Sequence, residues 1–327
     1  MRLFTILMQR VLYAFALLVA VIIFNYILLS MVPGDIAETI AGEAGGASPE
    51  LMAEIRQAYG LDRPFHEQVA SYVWKVFQGD LGTSYYFNVP VVGLILERTG
   101  PTLLLAITAQ LLAIFIGTLF GVIASQKPNG LFSHFVTILA LVGFSAPVFW
   151  TAFMLIILFV SILQIMPLAG MTEPGLDAWT WEWCKEVLWH LCLPVVSLST
   201  LFLAQYSRLA RASMMDILGS DFIRTARAKG LSRRIVIYKH ALRNAVIPVI
   251  TIAGLQFSGV FSGAVVVETV FNWPGLGTLA LESILRADTP TILGILFFSA
   301  FVVIVFNLLT DLAYRIADPR IRMSSNT

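Results

Sequence analysis

The chain has 327 residues, of which 58% are hydrophobic and only 13% are charged, with a formal net charge of +1. Soluble domains carry about 25% charged residues, so this composition excludes an ordinary water-soluble protein. Asp, Glu, Lys and Arg are absent from six runs, each long enough for at least one membrane helix of about 20 residues: 11–34, 99–126, 128–172, 187–207, 244–267 and 289–310.

The first run, 11–34, follows Arg2 and Arg10 and at first sight looks like a signal peptide. It is too long for the apolar part of such a peptide, and no small-residue cleavage pattern closes it. We therefore expect a first membrane span that is retained.

The segment 35–98 is predicted to be a helical insertion between the first two spans. One helix is expected between the capping residue Ser48 and Gly60, and a second over about 64–78, where Phe65, Val69, Val73 and Phe77 would form one apolar stripe. Such helices could lie on the membrane surface or cover a translocation path, and the sequence leaves both open.

The run 128–172 could hold one span or two. Pro128-Asn129-Gly130 predicts a turn before it, and Pro147 predicts a kink, because proline lacks a backbone donor and clashes with the preceding turn. Further along, Trp179, Trp181 and Trp183 are typical of an interfacial aromatic belt, and two free thiols are expected at Cys184 and Cys192.

Charge decides the number of spans. With six spans and a cytoplasmic N-terminus, the inside segments 1–10, 127–130, 208–243 and the tail after 310 hold 15 of the 21 basic residues and 4 of the 20 acids, as the positive-inside rule requires. The predicted spans are 11–34, 99–126, 131–166, 191–207, 244–267 and 291–314. The segments 1–10, 208–243 and 315–327 are then cytoplasmic, and 35–98, 167–190 and 268–290 lie outside. The fold class is an all-α membrane protein with both termini in the cytoplasm.

The loop 208–243 carries nine basic residues. Ser220 or Asp221 can cap a short helix that runs to Lys229, and Gly230 can end it in a left-handed turn before a second helix begins near Arg233. Phe222 and Ala226 are predicted to share one face, which could enter a groove of a partner while flanking arginines pair with its acids. Plain contact of these charges with lipid headgroups is the alternative.

The sequence from Asp221 to Leu231 reads Asp-Phe-Ile-Arg-Thr-Ala-Arg-Ala-Lys-Gly-Leu. It resembles the EAA coupling loop of binding-protein-dependent ABC importers, and most closely the first permease component of the peptide/nickel (oligopeptide/dipeptide permease-type) branch. Arg224 and Thr225 depart from the general EAA pattern, as they do throughout that branch. Further agreement lies at Val32–Asp35, Gly79–Ser84, Val267–Gly277 and Asp318–Arg322.

The resemblance implies a subunit that couples to cytoplasmic ATPases through the loop 208–243. The residues that it marks for this role are Asp221, Phe222, Arg224, Thr225, Ala226, Arg227, Lys229 and Gly230. The expected partners are a second homologous permease subunit, two ATPase subunits, a periplasmic solute-binding protein and membrane lipid, but no nucleic acid. The resemblance also places the protein in the bacterial inner membrane, with peptides favoured as cargo over nickel complexes, glutathione, opines or sugars.

No cofactor or metal is expected in this chain, which lacks a Walker-type phosphate loop; ATP and Mg would be bound by the ATPase subunits. No catalytic residue is expected, so the subunit itself is not an enzyme. Glu268, Trp273, Glu282 and Asp288 are candidates for contact with the binding protein, or the three acids merely solubilise their loop. An ion-coupled carrier or channel is the alternative function, and a membrane-embedded enzyme a more remote one, although the charge-free spans weigh against an ion path.

Overall fold

The computed structural model describes residues 2–30, 48, 52–54, 56–57 and 62–317. Every regular element in this part of the chain is helical, which confirms the all-α class. The first helices are α1 (Arg2–Ser30), α2 (Phe65–Phe77), α3 (Val91–Gln126), α4 (Leu131–Ser145) and α5 (Val148–Leu155, continued by π-helical turns over Ile156–Ile162). They are followed by α6 (Trp181–Leu218), α7 (Asp221–Ala228), π-helical turns over Ile235–Ala241, α8 (Leu242–Ala245), α9 (Ile247–Val270), α10 (Leu276–Leu285) and α11 (Thr289–Ala317).

Four of the helices are long and apolar enough to cross a membrane: Met8–Leu28 within α1, α3, α6 and Thr289–Leu308 within α11. Two bent pairs of helices pass the same test together, so the described residues hold up to six spans. The first pair is α4 with α5, and the second joins Ile235–Ala245 to the start of α9 at an angle of 41°.

The break between α4 and α5 falls at the predicted proline but is larger than a kink. Ala146 and Pro147 are both extended, with ψ angles of 129° and 139°, and the two helical segments differ in direction by 109°. Proline disfavours the helical conformation of the residue before it as well as removing a donor. Ala146 and Pro147 are therefore both non-helical, and α4 and α5 are separate helices, not two halves of one kinked helix.

Several helix ends differ from the sequence-based bounds. α3 begins eight residues before the predicted span and continues through Pro101. α6 extends from Trp181 to Leu218 and so takes in residues that were assigned to the loops on both sides. Its N-terminus is capped by Thr180, whose hydroxyl accepts a hydrogen bond from the Trp183 N–H at 3.2 Å. Hydropathy alone could not find these ends, because they carry charged residues outside the apolar core.

The chain divides into two compact units, 1–100 with 278–309, and 101–277 with 310–327. In the first unit, α2 packs along α1, where the Tyr26 hydroxyl donates to Gln68 at 2.9 Å and the rings of Phe15 and Phe77 stack. This confirms the second helix predicted for the insertion. Of the first, predicted between Ser48 and Gly60, most residues lie outside the described ones.

The core of the second unit lies between α3, α6 and α9. Gly117 and Gly121, four residues apart on α3, let α6 approach so closely that added Cβ atoms would lie 2.8 Å and 2.6 Å from those of Tyr206 and Ala210. Small residues at this spacing allow close backbone contact between membrane helices. Cys184 and Cys192 are both free thiols, as predicted.

Candidate functional site

The segment between α6 and the π-helical turns over Ile235–Ala241 folds as its sequence predicts. Ser220 takes the extended N-cap conformation, and α7 follows from Asp221. The Ser220 hydroxyl does not cap α7 but donates to the Ile217 carbonyl at 2.5 Å. Within α7, the Thr225 hydroxyl donates to the Asp221 carbonyl at 3.0 Å.

The predicted glycine corner is confirmed. Gly230 has a φ of +76°, its N–H donates to the Arg227 carbonyl at 3.0 Å, and the Leu231 N–H donates to the Ala226 carbonyl at 3.4 Å. These two bonds and the left-handed glycine are the Schellman motif, which satisfies carbonyls that a helix end leaves free. The corner therefore fixes the direction in which the chain leaves α7.

The inner face of α7 is anchored by Ile223 and Ala226, which are 0% and 7% exposed. Both belong to a cluster of buried side chains from the ends of α3 and α6, from α7 and from the helical residues after it. Its other members are Val122, Met214, Val236, Ile237, Ala241 and Ala245. The prediction that Ala226 enters a groove of a partner together with Phe222 is therefore wrong, because Ala226 is part of the core of the chain itself.

The outer face of α7 presents one aromatic ring among cations. Phe222 is 44% exposed, and Asp221, Arg224, Thr225, Arg227, Lys229 and Gly230 are exposed as well. Nη1 of Arg224 lies 3.5 Å from Oδ1 of Asp221, but both side chains are in solvent, where such an ion pair contributes little to stability. The cations therefore remain able to contact a partner, and the role predicted for these residues stays a prediction.

Most of the residues predicted to contact a binding protein are buried, not exposed. Glu268, Trp273 and Asp288 are each 0% exposed, and Glu282 alone of the four is partly exposed. The prediction of a contact surface is wrong for the three buried residues, because a side chain without accessible area cannot meet another protein. For Glu282 the prediction stays untested.

Glu268 holds the first turn of α10. Its carboxylate accepts hydrogen bonds from the Thr102 hydroxyl and the Gly277 N–H, both at 2.7 Å, and the Thr102 hydroxyl accepts from the Leu276 N–H at 2.8 Å. Trp273 lies beside this network and donates from its indole to the Pro101 carbonyl at 3.0 Å. These groups satisfy N–H donors that a helix start leaves unpaired.

Asp288 performs a similar task within the first unit. Its carboxylate accepts hydrogen bonds from the Ser84 hydroxyl at 2.5 Å, the Tyr85 N–H at 3.0 Å and the Thr291 hydroxyl at 2.7 Å. Nearby, the guanidinium of Arg286 lies 3.6 Å from the centre of the Tyr86 ring. Both buried acids therefore hold turns and helix starts in place and are not displayed on the surface.

Sequence reasoning missed two amide contacts inside the apolar runs. Gln110 on α3 donates to the Tyr206 hydroxyl at 2.5 Å and to the Ala253 carbonyl at 3.3 Å. Gln256 on α9 donates to the Gln205 side chain at 2.5 Å. Gln110, Gln205 and Gln256 are polar but uncharged, so the absence of Asp, Glu, Lys and Arg from these runs does not distinguish them from the apolar residues around them.

Comparison with known proteins identifies the family of the chain. The family described as binding-protein-dependent transport system inner membrane component matches residues 117–323, and the family that covers its N-terminal part matches residues 3–106. The chain therefore belongs to the inner-membrane components of binding-protein-dependent transport systems. It is a multi-pass protein of the inner membrane.

Two relatives are similar over almost their whole length. The dipeptide transport system permease protein DppB of Escherichia coli strain K12 is 37% identical over 321 residues, which cover 93% of this chain and 94% of the relative. The protein of the same name from Alkalihalophilus pseudofirmus is 37% identical over 333 residues, or 96% and 98% of the two chains. These matches confirm the resemblance to the peptide-type ABC importer permeases that the motifs indicated.

Proposed function

We propose that this chain is a transmembrane subunit of an ATP-driven importer of di- or oligopeptides. It forms the translocation path with a second permease subunit and receives its ligand from a periplasmic binding protein. Two cytoplasmic ATPase subunits bind ATP and Mg and act on the segment 208–243. The peptide cargo is supported by the names of the two relatives, which describe dipeptide transport.

The observation that carries the coupling role is the two-sided construction of α7. Ile223 and Ala226 fix the helix to the ends of α3 and α6, while Phe222, Arg224 and Arg227 on the same helix are exposed. A force on the outer face would therefore be transmitted to the membrane helices through packed side chains. Simple attraction to headgroups would need the charges but neither the inner anchors nor the Gly230 corner.

Six spans follow if each bent pair crosses the membrane once. The termini then lie on the same side as 208–243, and the charge distribution supports the cytoplasm for that side, since the proposed inside segments carry a net charge of +11 and the remainder −10. Labelling of single cysteines tests this topology. A cysteine at Leu231 should react only after the membrane is made permeable, and reaction in intact cells would contradict both the topology and the coupling role.

An ion-coupled carrier is the competing function, and the described contacts do not favour it. Ion paths through membranes use ionisable groups within the spans. The polar contacts found there, Gln110 with Tyr206 and Gln205 with Gln256, join groups that are neutral at physiological pH.

Transport by membrane vesicles that contain the complete importer tests the function. Uptake of a labelled dipeptide should require both ATP and the binding protein, and an ionophore that collapses ion gradients should leave it unchanged. Uptake that follows an ion gradient without ATP would contradict the proposal.

The docking role of Phe222 can be tested by co-purification. We expect Phe222→Ala to retain the ATPase subunits at least about tenfold less well, since burying a phenylalanine side chain contributes about 2 kcal/mol or more. Phe135→Ala, which removes a similarly exposed ring from α4, is the matched control and should retain them normally. Equal retention by both variants would show that Phe222 does not enter the interface.

A further inference from the structure

A cavity of about 320 Å³ lies where α3 ends and α4 begins, within the second unit. Its walls come from the last turn of α3, the turn at 127–130, the first turn of α4 and the side chain of Arg233. Ligand pockets usually begin at about 300 Å³, so the space suits a small group. Nothing in the proposed coupling role requires this cavity.

The charged side chains that line the cavity are both cations, Lys127 and Arg233, and no Asp or Glu is among the lining residues. The Arg233 guanidinium donates to the Gln126 side chain at 3.4 Å, which holds it beside the end of α3. Two cations without a neighbouring acid favour an anionic ligand.

Ser133 supplies an independent sign of a ligand. It lines the cavity and is 1% exposed, yet its hydroxyl has no hydrogen-bond partner among the residues that the structure describes. Buried hydroxyls almost always have a partner, and one that does not calls for an explanation such as an additional bound group. A ligand in the cavity could provide the missing acceptor.

The start of α4 adds further donors. Gly130 is its N-cap, and no side chain caps the helix. The first turn of a helix leaves N–H groups free, and together with the helix dipole they form a site suited to phosphate. The cations, the buried hydroxyl and the helix start thus meet at one place.

We propose that this cavity binds the headgroup phosphate of an anionic phospholipid. A lipid is favoured over free phosphate because apolar side chains border the cations: Leu131 is 90% exposed, and Phe132 and Ile123 are 40% and 37% exposed. α3 and α4 are apolar helices that end here, so acyl chains can run along them while the phosphate meets the basic groups. Arg233 lies three residues after Gly230, so the bound lipid also ties the proposed coupling segment to the membrane surface.

Native mass spectrometry of the purified full-length chain in a neutral detergent tests the site. Phosphatidylglycerol should bind more tightly than phosphatidylcholine. The double variant Lys127→Gln/Arg233→Gln should lose about tenfold in affinity for phosphatidylglycerol, as expected for charge-assisted hydrogen bonds. Arg234→Gln removes one positive charge from the exposed residue next to Arg233, outside the cavity, and it should stay within about twofold of the unchanged protein.

Ser133→Ala separates a built site from general charge. It should weaken phosphatidylglycerol binding about threefold without lowering the melting temperature in the absence of lipid, because the described residues give its hydroxyl no hydrogen bond that could be lost. The site would be overturned by an unchanged lipid affinity in Ser133→Ala. It would also be overturned if Arg234→Gln lost as much lipid affinity as the double variant Lys127→Gln/Arg233→Gln. Displacement of the lipid by millimolar inorganic phosphate would overturn the lipid assignment in favour of a free anion.

Discussion

Replacing Gly230 with valine should lower ATP-driven uptake at least about tenfold while leaving the amount of protein in the membrane unchanged. The φ of +76° is a conformation that costs an L-residue about 1–2 kcal/mol, and a β-branched side chain more. Apart from its two chain neighbours, no atom of the described residues lies within 4 Å of a Cβ added at this position, so the effect would come from the backbone and not from a clash. The strain would open the Schellman turn and release the end of α7.

The matched variant is Gly230→Asn, because asparagine tolerates the left-handed conformation better than other residues with a side chain. The asparagine variant should keep most of the uptake. ATP hydrolysis measured in parallel would show whether the valine variant still hydrolyses ATP without transport or has lost both activities. Equal uptake by the valine and asparagine variants would mean that the corner does not set the geometry of coupling.

The coupling segment was predictable because its signals are local. A serine before Asp221 and a glycine after Lys229 mark the two ends of a short helix in the sequence, and the structure has α7 between them, although the serine hydroxyl does not cap it. The membrane helices were predictable from the apolar runs for a similar reason, since each span needs a continuous apolar segment of the chain. Their ends were misjudged where charged residues continue α3 and α6 beyond the apolar core, and the change of direction at Pro147 is larger than the predicted kink.

The exposure of single residues was not predictable in the same way. Ala226 lies on a helix that is polar on most sides, and only its packing with residues such as Val122 and Met214 shows that it faces inward. Asp288 looked like a surface acid because its partner Ser84 is 204 residues away in the sequence. Hydrogen bonds over such separations leave no local pattern.

Replacing Glu268 with alanine should destabilise the protein by about 3 kcal/mol, because the Gly277 N–H and the Thr102 hydroxyl would lose their acceptor in a buried place. A loss of this size should lower the melting temperature by roughly 5 °C in a chain of this length. Glu282→Ala, which removes a partly exposed carboxylate from α10, is the control and should change the melting temperature by less than about 1 °C.

The same carboxylate predicts a specific interaction between two substitutions. A Cβ added to Gly275 would overlap Cδ of Glu268, so Gly275→Ala alone should be strongly destabilising. Removal of the Glu268 carboxylate empties the space that this Cβ needs. The double variant Glu268→Ala/Gly275→Ala should therefore lose at least about 1 kcal/mol less than the sum of the two single losses, as contacting residues do when they share one space. Additive losses in thermal unfolding would mean that Glu268 does not pack against the turn before α10, and its assignment as the group that fastens that turn would fail.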